Sequence, residues 1–165
     1  MREILKYIHD RGVEKGGEPT IYYSVENNNI GEAALVAIEE IGEESIPGLF
    51  LSEPIKKGHV RRFRKGFNTT NSNKINACAK LKHLIESKRF RIHSKPLISE
   101  LKGYIAKGVS FEAKVGLHDD LVSATLLVIR MALMLQEWDP AIYDKMREER
   151  EDEFIMPMPI YISNY

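Results

Sequence analysis

The stretch TIYYSVENNNIGEAALVAIEEIG, residues 20–42, decides the fold. Its first seven residues are rich in β-branched and aromatic side chains and read as a buried strand ending at Glu26. Asn27, Asn28 and Asn29 break that strand; asparagine tolerates the left-handed backbone of tight turns, so a turn explains them. Small and apolar residues (Ala33, Ala34, Val36, Ala37) then predict a helix over 30–41, closed by Gly42. A strand leading straight into a closely packing helix is the start of an α/β unit.

Upstream, residues 2–13 place Ile4, Leu5 and Ile8 at helical spacing, and Gly12, Gly16 and Gly17 stop that helix. Downstream, residues 46–52 read as a second short strand. Residues 54–68 carry seven Lys, Arg or His side chains and suit an irregular loop or an exposed hairpin. Asn71 or Ser72 can cap a helix to about residue 87, with Ile75, Cys78, Ala79, Leu81, Leu84 and Ile85 on its apolar side. A short strand over 89–93, a helix over 95–104 with Pro96 in its first turn, and a strand over 109–113 follow. Asp119 or Asp120 then opens a helix to Trp138, apolar nearly all round and so expected to be central and buried. The alternation predicts an α/β fold, a mixed sheet flanked by helices. The whole chain, 1–165, reads as one domain with a charged, proline-broken tail over 141–165.

Apolar residues make up 43% of the 165 and charged ones 29%, a globular composition that excludes wholesale disorder. Acidic and basic residues balance at 24 each, so bulk charge says nothing of nucleic acid. The charges are nevertheless sorted: 56–95 is basic and 137–153 acidic. A single cysteine, Cys78, excludes an internal disulfide and a cysteine-based zinc site. The most apolar stretch, 121–135, is interrupted by Arg130 and is shorter than the ~20 residues of a membrane span. Nothing after Met1 reads as a signal peptide, so a cytoplasmic, non-membrane protein is expected.

Two acidic sites carry the candidate chemistry. Glu26 ends a predicted strand, and ligands gather at the carboxyl ends of strands in open α/β sheets. His118-Asp119-Asp120 precedes the most apolar helix. Both sites also have a plain structural reading, as a strand-end acid and as a helix cap favoured by the dipole. One acid suffices for a cap, however, and a second beside it is repelled unless a cation lies nearby. A hard cation such as Mg²⁺ takes oxygen from one or two carboxylates and leaves room for phosphate. Two such ions can activate water and stabilise the leaving oxygen of a phosphodiester.

The segment KKGHVRRFRKG, residues 56–66, gathers Lys56, Lys57, His59, Arg61, Arg62, Arg64 and Lys65 into a candidate DNA clamp, since phosphate neutralisation supplies sequence-independent affinity. A solvated loop is the plain alternative. Lys74, Lys80, Lys82, Lys88, Arg89 and Arg91 extend the charge but are scattered, and most are expected to face solvent. His118 can orient a water or simply bond backbone. No Walker sequence is present, so no ATP site is expected in this chain.

The strings VENNNIG (25–31), NACAKLKHLIESKRFRIHS (76–94) and GLHDDLVSATLLVIRM (116–131), in that order, resemble the nuclease domain of tailed-phage terminase large subunits, most of all the T-even-like myovirus branch. The resemblance runs from about residue 2 to about 140 and implies an RNase H-like fold. It also implies a metal-dependent endonuclease, using Mg²⁺ or Mn²⁺, that cuts double-stranded concatemeric DNA during packaging. Glu26 then matches the second acidic motif and the Asp119-Asp120 pair the third, with Asp120 the direct ligand and Asp119 a ligand or supporting acid. Implied partners are double-stranded DNA, the terminase ATPase domain, the small terminase subunit and the portal, in the cytoplasm of an infected host. The family's first acid, on an opening β-meander, has no counterpart here. The expectation is therefore a sheet lacking its first strands, weak or no cleavage by this chain alone, and dimerisation through an exposed sheet edge. Two other readings stay open: another RNase H-like nuclease of resolvase or integrase type, and a non-catalytic DNA-binding or motor-assembly module.

Overall fold

The computed structural model describes residues 1–17, 19–57 and 60–138. His59, the side chains of Lys56, Lys57, Arg61, Arg62 and Arg64, and the tail over 141–165 lie outside that description. The chain divides into two units, Met1–Ile129 and Arg130–Tyr165. In the second, the described part is the last turns of one helix, where Met131, Met134 and Leu135 are buried.

The first unit opens with α1 (Arg2–Glu14), β1 (Tyr22–Tyr23), α2 (Asn29–Ile41) and β2 (Leu49–Phe50). A single turn of tight helix, Glu43–Ser45, links α2 to β2. β1 and β2 run parallel, Tyr22 opposite Leu49 and Tyr23 opposite Phe50, so the expected βαβ unit forms. Leu5 of α1, Tyr23, Ile38 of α2 and Ile46 share one buried cluster, with Ile21, Val25 and Phe50 packed against it. The Tyr23 and Phe50 rings meet edge to face, 5.4 Å between centroids. Gly12 does not end α1 as its type suggested. It lies inside the helix, where a Cβ would come within 2.6 Å of the Pro19 ring.

The basic segment is a hairpin. β3 (Glu53–Lys57) pairs antiparallel with β4 (Val60–Arg64), from Glu53 opposite Arg64 to Lys57 opposite Val60. α3 (Asn71–Glu86) follows, capped by Thr70, whose hydroxyl accepts from the Asn73 N–H, and not by Asn71 or Ser72. Its buried residues are Ala77 and Leu81, while Ile75 and Ile85 are exposed and Cys78 is half-buried, so the inward face is narrower than predicted.

No strand forms over 89–93. The N–H groups of Arg89 and Phe90 both turn back to the Leu84 carbonyl, with Lys88 at φ 58, and so close α3 where a strand would have needed them for a ladder. α4 (Lys95–Gly103) starts at a Ser94 cap with Pro96 in its first turn. It gives way to an unanticipated strand β5 (Tyr104–Lys107), which pairs antiparallel with β6 (Ser110–Ala113). Gly108, at φ 59, supplies the positive φ that this two-residue connection needs at its first position.

α5 (Asp120–Trp138) is amphipathic, contrary to expectation. Val122, Leu126 and Ile129, at helical spacing, are buried at 0–4% exposure, but Val128 is 57% exposed and Leu121 41%. Apolar composition thus overstated its burial. Among the described residues the strands form three two-stranded pairs, not one continuous mixed sheet. The helix-and-strand alternation of an α/β chain remains.

Candidate functional site

Glu26 is positioned by backbone on both sides of it. Past β1 the chain meets Phe67 in a parallel bridge: Phe67 donates its N–H to the Val25 carbonyl at 2.9 Å, and its own carbonyl accepts from Asn27 N–H at 2.7 Å. The asparagines that follow do more than turn the chain. Asn27 donates from Nδ2 to the Lys65 carbonyl at 3.0 Å, tying the turn to the base of the hairpin. Asn28, in extended conformation and not left-handed, caps α2 by accepting from Gly31 N–H at 2.9 Å. Its Nδ2 donates to Glu26 Oε2 at 3.0 Å, so a single amide both starts the helix and orients the half-buried carboxylate. Gly31 is required here for space: a Cβ would overlap the Glu26 carbonyl oxygen and lie 2.9 Å from its carbon.

Glu53, not singled out in the sequence, holds the next segment. Its carboxylate accepts from Asn68 N–H at 3.0 Å and from Asn73 Nδ2 at 3.4 Å, joining the start of β3 to the amino end of α3. The neighbouring Lys74 is where expectation fails most usefully. It does not merely face solvent: its side chain is 19% exposed, with Nζ 3.9 Å from Asp119 Oδ2 and 5.5 Å from the centre of the Tyr104 ring. A cation from the protein itself therefore stands beside the aspartate pair. Tyr104 stacks on Phe111 and buries its hydroxyl beside the Cys78 thiol, without an oxygen or nitrogen partner among the described residues. Burial, then the neighbouring Cys78 and Asp119, push that phenol well above the usual tyrosine range. Burial likewise raises the Cys78 thiol, making it a poor nucleophile.

The cap of α5 comes from elsewhere too. Glu100 of α4 accepts from the N–H groups of Leu121 at 2.8 Å and Val122 at 3.1 Å through one oxygen, Oε2. The aspartates are thereby spared that task. Asp119 is half-buried against Lys74, whereas Asp120 is exposed and makes no side-chain hydrogen bond or ion pair among the described residues. His118 is exposed.

In the hairpin, Lys65 is paired with Glu39 of α2 at 2.6 Å, a surface ion pair worth ~0–1 kcal/mol. Oxygen-only donors such as Glu26, Asp119 and Asp120 suit a hard divalent cation. Among the described residues, no three His, Cys, Asp or Glu side chains gather closely enough to hold an ion by themselves. An ion held by one or two of these acids would complete its shell with water and phosphate oxygens, as Mg²⁺ commonly does.

Glu100, Glu53 and Lys74 escaped sequence reasoning because each acts on a residue distant in the chain, and no local spacing marks them. The strand-end acid, the hairpin, the polar start of α3 and the aspartate pair before α5 all fall within one match. A family model described as a terminase RNaseH-like domain covers residues 20–132, from just before β1 into α5. With more than half of its length matched, and with both acidic motifs inside the match, this chain belongs to the terminase RNaseH-like domain family.

Proposed function

We propose that this terminase nuclease-type module is a divalent-metal-dependent endonuclease that cuts double-stranded, concatemeric DNA during viral genome packaging. The observation that carries this reading is the state of the aspartate pair: α5 is capped by Glu100, Asp119 is paired with Lys74, and Asp120 is left exposed. Capping, the structural duty that would explain the pair away, is thus met by Glu100, and Asp120 is engaged neither in that cap nor with Lys74.

Glu26, oriented by Asn28, and Asp120 serve as metal ligands, with Asp119 as the supporting acid. Bound Mg²⁺ or Mn²⁺ supplies activation of water and stabilisation of the leaving oxygen, in a two-metal phosphodiester hydrolysis. Lys56, Lys57, His59, Arg61, Arg62, Arg64 and Lys65 hold the phosphate backbone of the duplex, without reading sequence. With no three metal-ligating side chains gathered together among the described residues, metal binding is weak and turnover slow. The module works beside an ATPase domain, a small terminase subunit and a portal, in the cytoplasm of the infected host.

Relaxation of supercoiled plasmid, measured together with Mn²⁺ binding by calorimetry, tests this. The expected result is Mn²⁺-dependent nicking and one or two binding events, both lost in Glu26→Gln and Asp120→Asn. Duplex binding without Mn²⁺ binding or nicking would replace this reading with a non-catalytic DNA-binding or motor-assembly module. Preference for four-way junctions over linear duplex would point instead to a resolvase-type nuclease.

A further inference from the structure

We propose that Glu100 is a positioning residue for the Asp119-Asp120 pair, holding Asp119 off the amino end of its own helix. The role rests on the reading of that pair as metal acids; the placement itself does not.

α5 begins at Asp120, so Asp119 stands at the cap position, and its carbonyl accepts the first intrahelical bond, from Ser123 N–H at 2.8 Å. An aspartate there would ordinarily fold its side chain over to accept from the second or third helical N–H. Those are the N–H groups of Leu121 and Val122, and both already go to Glu100 Oε2. A carboxylate 21 residues upstream has displaced the local one. Asp119 is consequently directed to Lys74, and Asp120 carries no capping load.

Glu100 is suited to this by its place on α4, which begins at the Ser94 cap and ends at Gly103 immediately before β5. A Cβ on Gly103 would come within 2.5 Å of Leu117 Cδ1, so α4 lies directly against the loop that leads into the aspartate pair. Remove the Glu100 oxygen and two helix N–H groups lose their acceptor. Asp119 is the nearest replacement, and taking that role costs it the Lys74 contact. Outer residues that orient metal ligands typically change affinity by ~10–100-fold when removed.

The test compares Glu100→Ala with Glu100→Gln, whose amide oxygen still accepts an N–H. Crystal structures of both variants without metal read the placement directly. In Glu100→Ala, Asp119 should swing onto the Leu121 and Val122 N–H groups and leave Lys74; in Glu100→Gln it should stay. If Glu100→Ala does not fold, Glu100→Asp, one methylene short of reach, takes its place. Calorimetric titration with Mn²⁺ then reads the consequence: affinity at least about tenfold weaker in Glu100→Ala, and close to wild type in Glu100→Gln. Asp119 remaining on Lys74 in Glu100→Ala overturns the proposal, as does unchanged Mn²⁺ affinity in a variant where it has moved. Failure of the wild-type protein to bind Mn²⁺ would defeat the metal reading and the functional role together, whatever the crystals show of the placement.

Discussion

Replacing Gly31 with alanine sets two physical effects against each other, and the structure decides the sign. Gly31 is in the first turn of α2, where alanine is intrinsically better than glycine by ~1 kcal/mol. Its backbone needs no positive φ, so propensity alone predicts stabilisation. The added Cβ, however, overlaps the carbonyl oxygen of Glu26 and falls 2.9 Å from its carbon. Both are backbone atoms, which no rotamer change can move aside. Relief requires the turn over 26–31 to open by more than about an ångström, at a typical overpacking cost of ~1–3 kcal/mol. Opening it also strains the Asn28 N–H bond to the Glu26 carbonyl, at 2.9 Å, and the Asn28 amide on Glu26 Oε2, each worth ~1 kcal/mol. Against the propensity gain, the net expectation is a loss of ~1–3 kcal/mol. For a chain of this size that lowers Tm by roughly 3–10 °C. Urea denaturation followed by circular dichroism gives the free energy, and a parallel Mn²⁺ titration should show weaker binding as Glu26 shifts. A Gly31→Ala variant as stable as wild type, or more so, would refute the steric account of this glycine.

Other expectations follow from individual contacts. Asn28→Ala removes the α2 cap and should cost ~1 kcal/mol in denaturant unfolding, while Asn28→Ser, which still caps, should recover most of it; equal losses would show that capping is not the contribution. Lys74→Met leaves the aspartate pair without its neutralising charge and Tyr104 without its cation, so stability should fall by ~1 kcal/mol while Mn²⁺ affinity rises several-fold, a rise that calorimetry either finds or does not. Tyr104→Phe removes a buried hydroxyl with no oxygen or nitrogen partner and should be neutral or stabilising by up to ~1 kcal/mol at neutral pH. Burial, above all, holds the Tyr104 and Tyr23 phenols protonated in the folded state at a pH where the unfolded chain has released those protons. Their contribution is therefore complete below about pH 10 and is lost as pH rises beyond it. Tyr104→Phe should flatten that alkaline decline, and an unchanged slope of stability against pH would contradict the assignment.

What the sequence made legible was local. The strand before the asparagines, the helix after them and the polar start of α5 are each announced by residues within a few positions, although the strand is only Tyr22–Tyr23 and Glu26 lies past it in a single bridge to Phe67. The segment over 89–93 misled because alternation alone cannot show that its N–H groups are spent closing the helix before it. The long apolar run of α5 misled because composition does not reveal which face is covered: Val128 is mostly exposed, and Val122 is fully buried. Within the candidate site, the positions of the acids at a turn and at a helix start were readable, and the residues that contact them were not. Glu100 and Lys74 reach Asp119 and its helix across long stretches of chain, and Glu53 reaches Asn68 and Asn73 in the same way. Such tertiary pairings leave no periodic trace in a single sequence.

The hairpin formed by β3 and β4 is rooted in the same few residues that fix Glu26. Glu53 N–H bonds the Gly66 carbonyl across the base, Asn27 reaches the Lys65 carbonyl, and Phe67 is stitched to the backbone on either side of the acid. The base of the hairpin and the turn at Glu26 are therefore one hydrogen-bonded unit. From the end of β4 at Arg64, only Lys65 and Gly66 intervene before Phe67, which brackets Glu26 with two peptide hydrogen bonds. Substitutions at the base of the hairpin, at Glu53 or Gly66, therefore fall on the backbone around Glu26 as well, however far apart they are in the chain.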